Sequence, residues 1–147
     1  MSKPAKSPAM SREQIEALLA KEFPQAFHPG SGLSVEEVGF GTARVRQAYM
    51  ARLIRPGGTI SGPTMMALAD FAMYVAVFSA AGPVPLAVTT NLNINFLRKP
   101  AQADIVAKAR LLKHGKRLVV GEVDIVSADS EETVAHVTAT YSIPPAT

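Results

Sequence analysis

The chain has 147 residues, 48% of them hydrophobic, with 15 Lys and Arg against 12 Asp and Glu for a formal net charge of +3. That length and apolar content set one domain with a real core and exclude a disordered chain, while three surplus cations are a weak warrant for a nucleic-acid partner. With no Cys, disulfides, thiolate nucleophiles and zinc–thiolate sites are excluded, and the three His are too scattered to suggest a metal.

Residues 1–10 carry Pro4, Pro8, two Lys and two Ser, a composition expected to fray, so the domain is expected over 11–147. The N-terminal run has no apolar stretch of signal-peptide type, and a cytoplasmic protein is expected. Ser11 and Gln14 fit a capping box, and Ile15, Leu18 and Leu19 recur at helical spacing, which predicts a helix over about 11–22. Ser34 and Glu37 also fit a capping box, but Leu33, Val35, Val38 and Phe40 read better as extended chain. Residues 42–54 read as a strand that ends at Arg55-Pro56-Gly57-Gly58, a loop.

Ser61-Gly62-Pro63 then opens an apolar segment, 64–81, closed by Gly82-Pro83. Pro63 suits a first helical position and Gly82 a C-terminal stop. The segment reaches the lower limit for a membrane span, but Asp70 in its middle and the strands that follow favour a helix enclosed by the rest of the domain. Four alternating runs follow, centred on Leu92-Ile94-Phe96, Ile105-Ala107-Ala109-Leu111, Val119-Gly121-Val123-Ile125 and Ala135-Val137-Ala139-Tyr141. Short connections make them antiparallel neighbours. The expected fold is α+β, one long helix against a curved antiparallel sheet.

Two features carry candidate chemistry. A carboxylate in an apolar helix is costly unless it reaches a partner, water or a ligand, so Asp70 reads equally as a structural group or a catalytic one. Gly62 lies at the helix start, where backbone N–H groups lack helical acceptors and the dipole is positive, a place that can hold an oxyanion. Pro63 has no N–H, which leaves Gly62 or Thr64 as the donor. Arg55 reads as a loop cation, a partner for Asp70 or an anchor for an acidic acyl group.

With Ser61-Gly62-Pro63, Ala67-Leu68-Ala69-Asp70, the run Leu92-Asn93-Ile94-Asn95-Phe96-Leu97-Arg98-Lys99-Pro100 and the hairpin Gly115-Lys116-Arg117-Leu118-Val119-Val120, the chain resembles the hotdog-fold acyl-CoA thioesterases, especially the PaaI-type family, over about 32–143. The resemblance implies a hotdog fold with Asp70 as nucleophile or water-activating base and the Gly62 N–H polarising the thioester carbonyl. It also implies a dimer or tetramer with Asp70 facing Gly62 of the other subunit, acyl-CoA as substrate, and no cofactor, membrane or nucleic acid. Ser61, Arg55, Thr64, Tyr74, Arg98, Lys99 and Arg117 are the candidate substrate-binding residues, the last three toward CoA phosphates. The sequence departs from the family pattern in three places: Ser61 stands for the motif His, Arg55 for an Asn or Gln, and Tyr74 for a small hydroxyl residue. A Ser donates a hydrogen bond but does not titrate near neutral pH. A non-catalytic acyl-CoA binder and a basic nucleic-acid or membrane-surface module are the rival readings. A hotdog dehydratase ranks lower, because no His lies near Asp70 in sequence.

Overall fold

The computed structural model describes residues 6–145. Ser11 caps α1 (Arg12–Glu22) with the reciprocal bonds of a capping box, Gln14 N to Ser11 Oγ at 3.1 Å and Ser11 N to Gln14 Oε1 at 2.9 Å. Of the expected tail, residues 1–5 lie outside the described residues, but fraying does not reach 9 and 10. Ala9 N donates to Ser79 O at 2.7 Å and Met10 is buried in the core, so an apolar anchor outweighs the polar composition around it.

Six strands follow the order β1 (Leu33–Gly39), β2 (Thr42–Gln47), β3 (Val88–Phe96), β4 (Ile105–His114), β5 (Leu118–Ser127) and β6 (Thr133–Ser142). They form one antiparallel sheet, β1-β2-β4-β5-β6-β3. The strand expected over 42–54 stops at Gln47. After it come a 3-10 turn (Ala51–Leu53) and an isolated bridge from Ile54 to Ile60, because 48–54 turn away to deliver the chain to the next helix.

That helix, α2 (Gly62–Ala81), is capped by Ser61 and ends at Gly82, whose φ of 88° only glycine adopts freely. It is long and apolar enough to cross a membrane, yet all six strands pack against it and most of it is buried. Period-two alternation turns Val45, Ala107, Ala109, Val123, Ile125, Val137 and Ala139 toward the helix. Gly121 marks a close approach: a Cβ there would lie 2.5 Å from Met73 Sδ and 2.9 Å from Arg110 O. Burying Phe78 alone contributes about 2 to 3 kcal/mol.

The opposite face of the sheet is charged, but its cations are matched. Arg44 and Arg46 hold Glu36, Lys108 holds Glu131, and Arg110 holds Glu122. Among the described residues this face carries no unmatched basic stripe. At the other edge of the sheet, among the described residues, β3 pairs only with β6 and leaves a strand edge unpaired.

Candidate active site

Asp70 sits at the middle of α2, partly exposed, at the end of the sheet where β3 begins. Its Oδ1 accepts from Thr89 Oγ1 at 2.6 Å and from Tyr141 OH at 2.7 Å. The Tyr141 hydroxyl also lies 2.9 Å from the Asp70 carbonyl oxygen. Both donors arrive through one register pair, Thr89 opposite Tyr141 in the β3–β6 ladder. Tyr141 is 3% exposed, and burial, followed by the negative charge of Asp70, pushes its phenol well above the ordinary tyrosine range. It therefore remains a proton donor at any physiological pH. With Oδ1 occupied, Oδ2 is the oxygen left for chemistry.

A cleft of about 380 Å³ opens onto this carboxylate, walled by Glu22, Phe23, Tyr74, Pro85, Thr89 and Tyr141. From the same carboxylate a narrower recess of about 210 Å³ runs between α2 and the segment after α1, lined mainly by Phe23, Leu33, Leu68, Phe71 and Tyr74. Tyr74 is a wall: its ring stacks 6.1 Å from Tyr141 and its hydroxyl donates to Pro85 O at 2.6 Å. Burial and then the Glu22 charge raise its phenol above the usual range. The hydroxyl expected to meet substrate instead holds the loop of residues 83–87.

The helix start forms a separate pocket of about 360 Å³, where Gly62 meets Arg55, Phe96, Arg98 and Lys99. Ser61 and Thr64 do not line it. Ser61 Oγ accepts from Thr64 N at 3.3 Å and lies 2.8 Å from Thr64 Oγ1, so the two side chains close the helix cap and not a substrate contact. This cap uses the Thr64 N–H, and Met65 N donates to Ser61 O. Gly62 is then the first-turn N–H without an acceptor among the described residues. Arg55 is exposed and lies at the Phe96 end of β3, away from Asp70 at the Thr89 end, so within one chain the two do not pair. Arg98 bonds Glu132 at 3.2 Å, and Arg117 lies beyond the Asp70 cleft on the β4–β5 turn.

Asp70 and Gly62 thus occupy opposite ends of β3, Asp70 beside Thr89 and Gly62 beside Phe96. The sequence pointed to both residues but not to Thr89 or Tyr141. A hydroxyl on the inward face of β6, in line with Val137 and Ala139, was the signal available for Tyr141. None of the three His lines either cavity at Asp70, and no group of His, Asp or Glu suited to a metal occurs among the described residues.

The thioesterase superfamily profile matches residues 57–134, from before the helix start to the beginning of β6. The chain belongs to the thioesterase superfamily. A candidate esterase from Halobacterium salinarum is 36% identical over 112 residues, 69% of this chain and 73% of the relative. A candidate thioesterase from Silicibacter sp. superposes with a TM-score of 0.84 at 40% identity, over 95% of each chain. A mutant of the phenylacetic acid degradation protein PaaI from Thermus thermophilus gives 0.68 at 27% identity, over 77% of this chain and 94% of its own. Among thioesterase superfamily members the fold is the hotdog fold, with PaaI-type proteins as structural neighbours, and the relatives are named as thioesterases or esterases.

Proposed function

We propose that this member of the thioesterase superfamily hydrolyses acyl-CoA thioesters as a dimer, with Asp70 of one protomer opposite the Gly62 N–H of a second copy. The observation that carries the reading is the division of the site. A carboxylate with one free oxygen lies at one end of an unpaired β3 edge, and an unspent helix-start N–H lies at the other. An antiparallel pairing of two β3 edges about a two-fold axis near Leu92 brings each Asp70 end against the other copy's Gly62 end. Such pairing also covers Val88, Phe96 and Leu97, which are 57%, 50% and 55% exposed in the single chain.

In this arrangement Asp70 Oδ2 takes a proton from a water as the water oxygen attacks the thioester carbonyl carbon. The carbonyl oxygen becomes an oxyanion facing the Gly62 N–H, in the positive field of the α2 start. Collapse re-forms the carbonyl and breaks the C–S bond. The thiolate leaves with the proton from Asp70, giving a carboxylic acid and a free thiol. The Ser61 cap offers no titratable group, so Asp70 handles the proton alone. The non-catalytic rival draws on that same substitution of Ser for His, and it predicts binding without thiol release.

The test mixes two inactive variants. Asp70→Asn removes the base, and Gly62→Pro removes the N–H at a position where helices accept proline. Each alone is expected to lose turnover by about a thousandfold or more. Refolded together, they form hybrid dimers with one intact site, and activity returns to about a quarter of wild type. No recovery on mixing, with hybrid dimers shown to form, would remove the shared site. Full activity of Asp70→Asn alone would remove the mechanism.

A further inference from the structure

We propose that Gln47 selects the acyl group: its side-chain oxygen, facing the recess behind Asp70, accepts a hydrogen bond from a hydroxyl carried on the acyl chain. The inference rests on the thioesterase reading of Asp70 and names the chemistry of the acyl end of its substrate.

β2 turns Ala43, Val45 and Gln47 inward, so an amide stands in a buried row that otherwise carries apolar side chains. Gln47 is 6% exposed. A buried amide is costly unless both its donors and its acceptor are met, and within this chain only the donors are. Nε2 donates to Ser31 O at 3.1 Å and to Ala48 O at 3.2 Å, and Arg52 Nη2 holds the Ser31 carbonyl at 2.8 Å. Two carbonyl oxygens can face only the NH2 end of an amide, so chemistry sets which way round the group lies. Gly32 makes room for it. With φ at 81°, a Cβ on Gly32 would sit 2.6 Å from Gln47 Nε2.

Gln47 Oε1 accepts no side-chain or backbone hydrogen bond among the described residues, where every Gln47 side-chain bond is made by Nε2. No fully enclosed side-chain oxygen or nitrogen among those residues lacks a partner, so Oε1 opens onto accessible space, and the space Gln47 lines is the recess it shares with Asp70. The hydroxyls there are already spent as donors: Tyr74 OH on Pro85 O, and Tyr141 OH on Asp70. Leu33, Leu68 and Phe71 add no polar side-chain atom. The missing partner is a donor. An ammonium in the same recess would draw on the Asp70 carboxylate that the reaction needs, and an amide N–H would bring a carbonyl with no donor to meet it. A hydroxyl is the small neutral donor that fits.

The experiment sets two series of CoA thioesters against each other: ω-hydroxyacyl chains of about four to seven carbons, a range set by the volume of the recess, and alkyl chains with a methyl in place of the hydroxyl. At the length that reaches Oε1, kcat/KM of the wild-type protein for the hydroxyacyl thioester is expected to exceed that for its alkyl isostere by about five- to tenfold, the size of one neutral hydrogen bond. Gln47→Leu removes the acceptor, and the alkyl isostere is then expected to be preferred at every length. A ratio of two substrates on one protein cancels any loss of folded enzyme, so a merely structural glutamine would leave it unmoved. Should neither Gln47→Leu nor the unbranched Gln47→Met fold, the wild-type ratio decides alone. No hydroxyl preference at any length in wild type, or a preference that survives in the variant, overturns the assignment while hydrolysis by Asp70 stands. If wild type releases no thiol from any of these substrates, the hydrolase reading fails by itself. Gln47 is then judged by calorimetric affinities of the same pairs: tighter binding of the hydroxyacyl thioester at one length upholds the assignment, and equal or weaker binding at all lengths overturns it.

Discussion

Tyr141 OH lies 2.7 Å from Asp70 Oδ1, the same oxygen that Thr89 Oγ1 reaches at 2.6 Å. The tyrosine is 3% exposed and the aspartate is partly open to a cleft, so a buried, rigid donor orients a group that solvent can reach. Two donors on one carboxylate oxygen fix the plane of the carboxyl group and select the other oxygen for the reaction.

Tyr141→Phe removes one of these donors without removing the ring. The expected result is a kcat lower by about ten- to a hundredfold with KM within twofold, because the carboxylate is misaimed while the substrate walls stay in place. Thr89→Val should act the same way, and Thr89→Ser should restore most of the rate. Steady-state kinetics with a thermal melt on each variant provides the check. A loss that tracks melting temperature, with no rescue by serine, would make both residues structural only.

Ser61 is a helix cap in this structure, although the sequence made it a candidate substrate contact. Ser61→Ala should destabilise the fold by about 1 kcal/mol through the lost Thr64 N–H acceptor. It should leave KM unchanged. Denaturant unfolding measures the first quantity and initial rates the second. A large rise in KM with unaltered stability would return Ser61 to the substrate site.

The fold was legible where the local pattern and the global packing agree. The Ser11 box, the Pro63 and Gly82 punctuation and the period-two runs of β4, β5 and β6 all have local causes, and all are present. Asp70 and Gly62 were visible because each contradicts its neighbours, one as a charge among apolar residues and the other as a glycine at a helix start. Thr89 and Tyr141 were not visible as a pair, since their meeting depends on strand register across 52 residues of chain, 141 − 89, and no local pattern sets that register. The end of β2 at Gln47 was also hidden: residues 48–54 have strand-like composition but are bent by the route into α2.

Glu36 supplies a pH dependence of stability separate from catalysis. Burial pushes its carboxyl upward, but bonds from Arg46 at 2.7 Å and Arg44 at 2.8 Å outweigh this and hold it below the ordinary value of 4.5. A carboxyl depressed in the folded state stabilises it above the unfolded value, and that contribution disappears as pH falls through the folded value. Stability should therefore drop as the solution is acidified below about 4.5. Glu36→Gln should cost about 1 kcal/mol at pH 7 and flatten the acid side of the curve, a modest size because both arginines are partly solvated. Urea unfolding across pH 3 to 7 measures it. Identical curves for the two proteins would mean that the Arg–Glu–Arg bridge contributes nothing.

The recess behind Asp70 limits the acyl group. Its volume of about 210 Å³ is room for roughly seven groups the size of a water molecule. Ala26 lines it from the segment after α1 and makes no side-chain hydrogen bond to Asp70. Ala26→Leu adds three carbon atoms and removes roughly 90 Å³ of that space. Turnover of acyl-CoA substrates of increasing chain length should then peak about three carbons earlier than in wild type, while the shortest acyl groups keep their wild-type rate. The opposite change, Phe23→Ala, should extend the range to longer chains, since Phe23 walls both the cleft and the recess. A chain-length profile that shifts in neither variant would mean that the acyl group lies elsewhere, even with Asp70 still required for thiol release.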